Sequence, residues 1–221
     1  MTELLLLKFI HLLLFVYWLG GDLGTFYASR FLVRPELTVA QRSTALTIMM
    51  GVDQGPRFCM PLMLPTGIHL GAMLGLIQLS ALAIAAFWGL GLAWLAMVVV
   101  LHLHQDQSFL QRLGRVDFHL RWLVVVLCAL LAATAWFADP WLTERMAAKL
   151  LIFAGMVGSG LGIRLALKPF MQAWVAMQRD GVQPQHDQAM NKALAVARRY
   201  VFAIWCGLLV NAAIGIHLIQ I

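Results

Sequence analysis

Two histidines in this chain lie within the same four-residue phrase, Gly-Ile-His-Leu, at residues 67–70 and again at residues 215–218. Each copy lies in the second half of an apolar stretch long enough to cross a bilayer. A histidine within lipid is costly and is a functional-site hypothesis by default. Imidazole is also a common axial ligand of haem iron. The repeated phrase therefore predicts that His69 and His217 hold one haem b between them.

A third histidine, His11, lies in the same half of the predicted membrane layer as His69 and His217. It either replaces one of them as a ligand or contacts a haem propionate. Lys8 precedes His11 by three residues, so both fall on one helix face. Lys8 either extends to water or neutralises a propionate. Two alternatives stay open for the three histidines, namely another metal and simple hydrogen bonding within a helix bundle.

Sulfur-bearing side chains supply the main alternative metal. Soft thiolate and thioether ligands suit Cu(I), and they occur with a histidine along one predicted helix, at Cys59, Met60, Met63, His69 and Met73. Methionine is also a flexible apolar filler that needs no metal to explain it. Copper is therefore the second candidate cofactor.

One carboxylate, Asp22, falls inside the first apolar stretch. A carboxylate in lipid must be protonated or find a partner. Arg164, at a similar depth in another predicted span, is the expected partner. The pair is interpreted either as a structural ion pair or as a proton relay.

Composition sets the class of protein to which these residues belong. The 221 residues are 62% hydrophobic and 12% charged, whereas about a quarter of a soluble domain is charged. We therefore expect a single transmembrane domain over residues 1–221, in contact with lipid. No nucleic-acid motif accompanies the net charge of +6.

Six apolar stretches are long enough to be membrane helices. They give an all-α integral membrane bundle, with the first stretch interpreted as a retained helix. The predicted spans are Leu4–Tyr27, Arg57–Ile77, Leu82–Leu103, Phe118–Trp136, Ala147–Leu167 and Tyr200–Ile219.

The distribution of basic residues predicts the orientation of this bundle. Three bases fall on one side, at Lys8, Arg145 and Lys149, and the remaining 13 of the 16 fall on the other. Bases concentrate on the cytoplasmic side of membrane proteins. We therefore expect a bacterial inner-membrane protein with both termini in the periplasm.

A longer repeat surrounds the histidine phrase. Small residues and a leucine recur with the same spacing at Gly20, Leu23 and Gly24 and at Gly158, Leu161 and Gly162. Small residues four apart let membrane helices approach closely. The first two predicted spans thus resemble the last two and run in the same direction, which predicts a parallel repeat with pseudo-twofold symmetry. Between the spans, residues 38–50 and 170–179 show helical apolar spacing. The second of these segments is interpreted either as a helix at the membrane surface or as an extension of the fifth span beyond Pro169.

The first third of the chain resembles a known group of proteins. Lys8-x-x-His11, Trp18-x-Gly20-Gly21, Phe26-Tyr27 and Arg30 precede an amphipathic stretch and a second histidine helix. This order resembles small bacterial membrane proteins of the CopD-like and HemJ-like type, which include copper-resistance proteins and a haem-containing protoporphyrinogen oxidase. The resemblance implies that His11 is a haem ligand or metal site.

These observations together predict a membrane-embedded b-type haem protein for electron transfer. It would work alone, as a homo-oligomer, or as the membrane anchor of a redox complex, and quinone is a possible partner. Two alternatives stay open: a copper-handling transporter and a protoporphyrinogen oxidase-like enzyme. If the chain is an enzyme, it is expected to be an oxidoreductase or its electron-transfer subunit.

Overall fold

The computed structural model describes residues 2–104, 107–137 and 141–220, without the side chains of residues 107, 136 and 137. Within those ranges the chain forms eight α-helices and one short 3-10 helix, and no strand. The α-helices are α1 (Thr2–Ala28), α2 (Val39–Val52), α3 (Gln54–Met73), α4 (Ala81–Leu103), α5 (Gln107–Phe137), α6 (Glu144–Ala166), α7 (Lys168–Asp180) and α8 (Pro184–Gly215). The 3-10 helix, Ser29–Val33, continues α1.

Five helical segments of the described chain are long and apolar enough to cross a membrane. They contain α1, α4, α5, α6 and α8, and they match five of the six predicted spans. The remaining prediction falls on α3, which is 20 residues long and has half of its residues buried. The chain is therefore an all-helical protein whose five or six long apolar helices are compatible with a membrane bundle.

The surface of this bundle is itself apolar, as lipid contact requires. Large apolar side chains on α1, such as Leu5, Phe9, Leu12 and Tyr17, are more than half exposed. A soluble protein rarely exposes a contiguous apolar surface of that extent. Away from its ends, a helix bonds all of its backbone polar groups internally, so such surfaces can face hydrocarbon.

Packing follows the order of the chain. Helix α1 packs on α3, α3 on α4, α5 on α6, and α6 on α8. The main core lies between them, with Trp18, Ile68, Trp94 and Val157 all buried. Close approach of α3 and α4 depends on Gly91, because a Cβ there would lie 2.9 Å from the carbonyl oxygen of Pro61.

We name the two ends of the bundle by their composition. The far end contains residues 74–80, 141–143 and 216–220, and the basic end contains α2, α7 and the start of α8. At the far end the two loops are joined, since the Gln78 amide donates to the Trp141 carbonyl and the Thr143 amide to the Leu76 carbonyl. This places the entry to α6 beside the exit of α3.

The basic end contains a second, smaller core. Both predicted loop helices are present, as α2 and α7, and their bounds differ from the prediction by about two residues. Four residues of α7 were expected to face the membrane surface, but in the structure they pack on Leu32 and on the first turns of α8. They are Phe170, Ala173, Trp174 and Met177, all buried. The surface-helix interpretation of this stripe is therefore corrected: the stripe holds the basic end together.

Two helices extend well beyond their predicted spans. Helix α5 begins at residue 107 instead of 118, and α8 begins at Pro184 instead of Tyr200. Both extensions are polar and lie at the basic end. A hydropathy pattern identifies only the apolar, lipid-facing part of such a helix. The helix itself extends further, because its backbone hydrogen bonds also form in the polar part outside the lipid.

Candidate functional site

His11 lies in α1 against α3, half-buried. Its Nδ1 atom lies 2.7 Å from the hydroxyl of Thr66, which is fully buried. The next residue of α3, Gly67, is part of the repeated phrase. A Cβ on Gly67 would lie 3.3 Å from Cε1 of the His11 ring, so the glycine lets the imidazole pack directly against the backbone of α3.

The hydrogen bonds of Thr66 assign the proton of His11. The Thr66 hydroxyl donates its single proton to the carbonyl oxygen of Leu62 at 2.7 Å. It therefore accepts from the Nδ1–H of His11. In a neutral imidazole one nitrogen then carries the proton and the other carries the lone pair. Nε2 of His11 is thus the unprotonated nitrogen, which is the form that binds metals.

His69 lies in α3 but makes its contacts on the opposite side, with α4. The indole Nε1–H of Trp88 donates to Nδ1 of His69 at 3.3 Å, and the two rings meet edge to face. Indole is a donor only, so Nδ1 of His69 holds the lone pair and Nε2 carries the proton. In this arrangement the Nε2 lone pair that a haem ligand needs is absent.

His217 follows the end of α8 and is exposed. Its φ of 62° lies in the left-handed region, as is common for a residue that ends a helix. Nη1 of Arg145, in the first turn of α6, donates to its Nδ1 at 2.9 Å. Guanidinium is also a donor only, so the Nε2 of His217 carries the proton, as it does in His69.

The three predicted ligands therefore occupy three separate places at the far end of the bundle. His11 lies between α1 and α3, His69 between α3 and α4, and His217 beside α6. No hydrogen bond or ring contact joins His69 to His217 in the part of the chain that the structure describes. Within the same residues, no group of three or more His, Cys, Asp or Glu side chains is arranged to hold a metal ion. Lys8 is exposed, as a lysine that extends to water would be.

A lysine accompanies His11 in the same region. Lys149 of α6 is half-buried and donates to the Asn211 carbonyl of α8 at 2.9 Å. The charge of Lys149 interacts with His11. Two further polar atoms nearby, Nε of Arg145 and Oδ1 of Asn211, are buried and have no hydrogen-bond partner within the described part of the chain.

Asp22 and Arg164, the predicted ion pair, have different neighbours. Arg164 pairs with Asp117 of α5 at 3.0 Å. Asp117 is fully buried and also accepts from Nε of Arg121 at 2.9 Å and from the indole of Trp94 at 3.1 Å. The expected pairing of Asp22 with Arg164 is corrected accordingly. Oδ2 of Asp22 is buried and has no partner among the described residues.

The sulfur groups of α3 also make protein contacts. Cys59 and Met60 are buried in the main core, and Sδ of Met60 accepts from Nη1 of Arg121 at 3.4 Å. Met73 is 40% exposed at the end of α3. These side chains are thus spread along the helix, from the core to the surface.

A buried ion pair at the basic end was not found from the sequence. Arg42 of α2 is fully buried, and its Nη1 lies 2.5 Å from a carboxylate oxygen of Asp187 in the first turn of α8. The guanidinium also donates to the carbonyl oxygens of Arg34 and Leu37, at 2.7 Å and 3.2 Å. One signal existed in the sequence: Arg42 falls on the same helical stripe as three apolar residues of α2, Val39, Leu46 and Met49. A base on an apolar stripe indicates a buried counter-charge.

Searches against models of protein families, curated proteins and solved structures give no match to this chain. The class is therefore defined by the fold alone. It is an all-helical bundle with several helices compatible with membrane spans, and with histidine, lysine and arginine side chains between the helices at its far end.

Proposed function

We propose that this chain is a membrane-embedded b-type haem protein that transfers electrons, with His11 as an axial ligand. One observation carries the proposal: His11 has its Nδ1–H held by Thr66, which leaves a lone pair on Nε2. A histidine that binds a metal through one ring nitrogen almost always donates a hydrogen bond from the N–H of the other. His69 and His217 accept hydrogen bonds at Nδ1 instead, so the contacts favour His11 over that pair.

The surroundings of His11 also suit the acidic groups that haem carries. Lys149 and Arg145 lie on adjacent turns of α6 at the far end, and the orphaned Nε of Arg145 is a donor available to a carboxylate. Haem itself would supply one-electron chemistry, as a prosthetic group does in such proteins. The chain would orient it, exclude water through the apolar core and balance the propionate charge.

The proposal includes the cellular setting. The 13 bases at the basic end favour a cytoplasmic location for α2 and α7, with both termini in the periplasm of a bacterial inner membrane. Quinone or a redox protein would exchange electrons with the haem. The resemblance to CopD-like and HemJ-like proteins supports a haem or metal function of the first helix.

Optical spectra of the purified full-length protein test the proposal. We expect a Soret band, an α-band that sharpens on reduction with dithionite, and haem that acid acetone extracts. His11→Ala should remove the haem. Thr66→Val removes the partner of Nδ1 and should weaken haem binding about tenfold or more, since second-shell partners have effects of that size.

His69→Ala is the matched control, because it truncates a half-buried histidine of the same bundle end. It should leave the spectrum unchanged. If His69→Ala removes the haem and His11→Ala keeps it, the ligand assignment is refuted. A colourless protein that contains stoichiometric copper by elemental analysis would refute the haem itself.

We also infer that the chain is an internal duplication, in which α1 and α3 correspond to α6 and α8. The sequence repeat aligns His11 with Lys149 and Gly67 with Gly215. The corresponding contacts recur: Gly67 faces the His11 ring, and a Cβ on Gly215 would lie 3.2 Å from Nζ of Lys149. Equivalent positions thus make equivalent contacts, which supports the pseudo-twofold axis.

The glycines of the longer repeat also make corresponding close contacts in the two halves. A Cβ at Gly24 would lie 2.8 Å from Val52, and one at Gly162 would lie 2.6 Å from Tyr200, the residue that aligns with Val52. Leucine at Gly24 or at Gly162 should therefore lower the melting temperature. The preceding glycines of the repeat, at 20 and 158, have open space beside them, so leucine there should not. A difference between the halves in this pattern would contradict the duplication.

A further inference from the structure

Two arginines meet at one aromatic ring where α1 ends beside α8. The guanidinium carbons of Arg30 and Arg198 each lie 5.3 Å from the centre of the Phe26 ring. Nη2 of Arg198 also lies 3.5 Å from the hydroxyl of Ser29. The two positive charges are close enough to interact unfavourably. An arrangement that concentrates like charge is costly unless an anion offsets it.

No described carboxylate offsets these two charges. Other arginines of the basic end do have an acid, as Arg42 has Asp187 and Arg57 has Asp53. Neither Arg30 nor Arg198 forms a salt bridge with a residue that the structure describes. The nearest acid on this face of α1, Asp22, lies two helical turns before Ser29.

The same seam between α1 and α8 contains buried donors without acceptors. Nε of Arg198 and the indole Nε1 of Trp205 are buried and have no hydrogen-bond partner among the described residues. A buried donor that lacks an acceptor is destabilising. These two orphaned donors, with two arginines that have no acid among the described residues, indicate a ligand rich in acceptor oxygens.

The remaining walls of this seam are aromatic. Phe26 contacts both Phe202 and Trp205, with ring centres 5.5 Å and 5.2 Å apart. Phe202 is 49% exposed on the apolar outer surface of α8. A ligand that fills the seam would thus have its oxyanion between the arginines and an apolar part along these rings.

We propose that Arg30 and Arg198 bind the phosphate group of an anionic amphiphile, whose apolar part lies against Phe26, Phe202 and Trp205. The hydroxyl of Ser29 donates to the Phe26 carbonyl at 2.7 Å and accepts from Arg198, so it orients that guanidinium. Arginine suits phosphate because its planar donors match the oxygens in pairs. Basic pockets between membrane helices bind lipid head groups in the same manner. The site is separate from the histidines of the far end. Arg30 follows His11 by 19 residues, which is about 28 Å along the helix axis at a rise of 1.5 Å per residue.

Binding to the full-length protein in detergent tests the site. The probe is phosphatidylglycerol, with dioleoylglycerol as a tail-matched probe without phosphate and sodium phosphate as the head group alone. We expect phosphatidylglycerol to raise the melting temperature and to appear as a bound adduct in native mass spectrometry. Dioleoylglycerol and sodium phosphate should each have less effect.

Arg30→Gln is the decisive variant, because Arg30 is exposed and contacts only ring faces, so the fold should survive its loss. It should weaken phosphatidylglycerol binding about tenfold or more, as expected for the loss of one charge-assisted contact. Arg198→Gln should do the same. Arg199→Gln, which removes a neighbouring exposed charge on another face of α8, should not.

Three results would overturn the proposal. Equal effects of Arg30→Gln and Arg199→Gln would mean general charge attraction. Equal stabilisation by dioleoylglycerol would mean that the seam binds only apolar chains. Stabilisation by sodium phosphate equal to that by phosphatidylglycerol would mean that the ligand is a free oxyanion.

Discussion

Loss of the negative charge of Asp187 should destabilise the basic end of the bundle. The Asp187 side chain is 16% exposed and that of Arg42 is 0% exposed, with Nη1 of Arg42 and the carboxylate 2.5 Å apart. Asp187→Asn keeps the shape of the side chain but leaves a buried guanidinium without a counter-charge. Breaking a buried pair in this way costs about 3–5 kcal/mol.

The expected size of the effect can be carried through to a melting temperature. In a protein of this length each kcal/mol corresponds to about 2–4 °C. Asp187→Asn should therefore lower the melting temperature by roughly 6–20 °C. The first turn of α8 also loses a favourable acid, which contributes about 0.3–1 kcal/mol in the same direction. Intrinsic tryptophan fluorescence, to which Trp174 in the same small core contributes, reports the transition.

A matched control separates this effect from a general loss of surface charge. Asp180 pairs with Arg179 at 2.9 Å, but the Arg179 side chain is 79% exposed. Asp180→Asn should leave the melting temperature unchanged. The double variant Arg42→Met with Asp187→Leu should recover much of the loss, because apolar residues of similar volume often replace a buried pair without cost. If the Asp187→Asn variant has the same melting temperature as the wild type, the reasoning about Arg42 is refuted.

Two other properties give direct tests. Gly91→Ala should destabilise the α3–α4 contact by about 1–3 kcal/mol, because the added methyl group overpacks against Pro61. Gly89→Ala should stabilise α4 by about 0.5–1 kcal/mol, because a Cβ there meets no atom within 4 Å. Equal melting temperatures of the two variants would contradict this packing. Alkaline phosphatase fused after Gly181 should be inactive and the same enzyme fused after Ile221 should be active, because the first junction lies at the basic end. Activity in the reverse order would invert the proposed orientation.

Much of the fold was predictable from the sequence, because lipid imposes one simple requirement. A span must be apolar over its whole length, and α1, α4 and α6 show this directly. The long polar starts of α5 and α8 were missed, since those turns lie outside the apolar layer and resemble loops in composition. Amphipathic spacing identified α7, but it did not identify the partner of its apolar stripe. That partner is the start of α8, which hydropathy had left out.

The polar contacts were less predictable than the helices. Asp117 and Arg121 are four residues apart in one helix, so their pairing was visible in the sequence. The third member, Arg164, is 47 residues from Asp117, and nothing in one sequence identifies such a partner. Arg164 was assigned to Asp22 on depth alone, which could not distinguish between two carboxylates of the same half of the bundle.

The protonated ring nitrogen of each histidine was also not predictable from the sequence. His11, His69 and His217 are one residue type at one end of the bundle, and the sequence repeat favoured the last two. Their chemical difference comes from the neighbours: Trp88 and Arg145 are donors, whereas the Thr66 hydroxyl acts as an acceptor because Leu62 takes its proton. The two histidines of the repeated phrase thus have the same hydrogen-bonding role. The lone pair at Nε2 belongs to the histidine outside the phrase, which is why ligand chemistry is expected at His11.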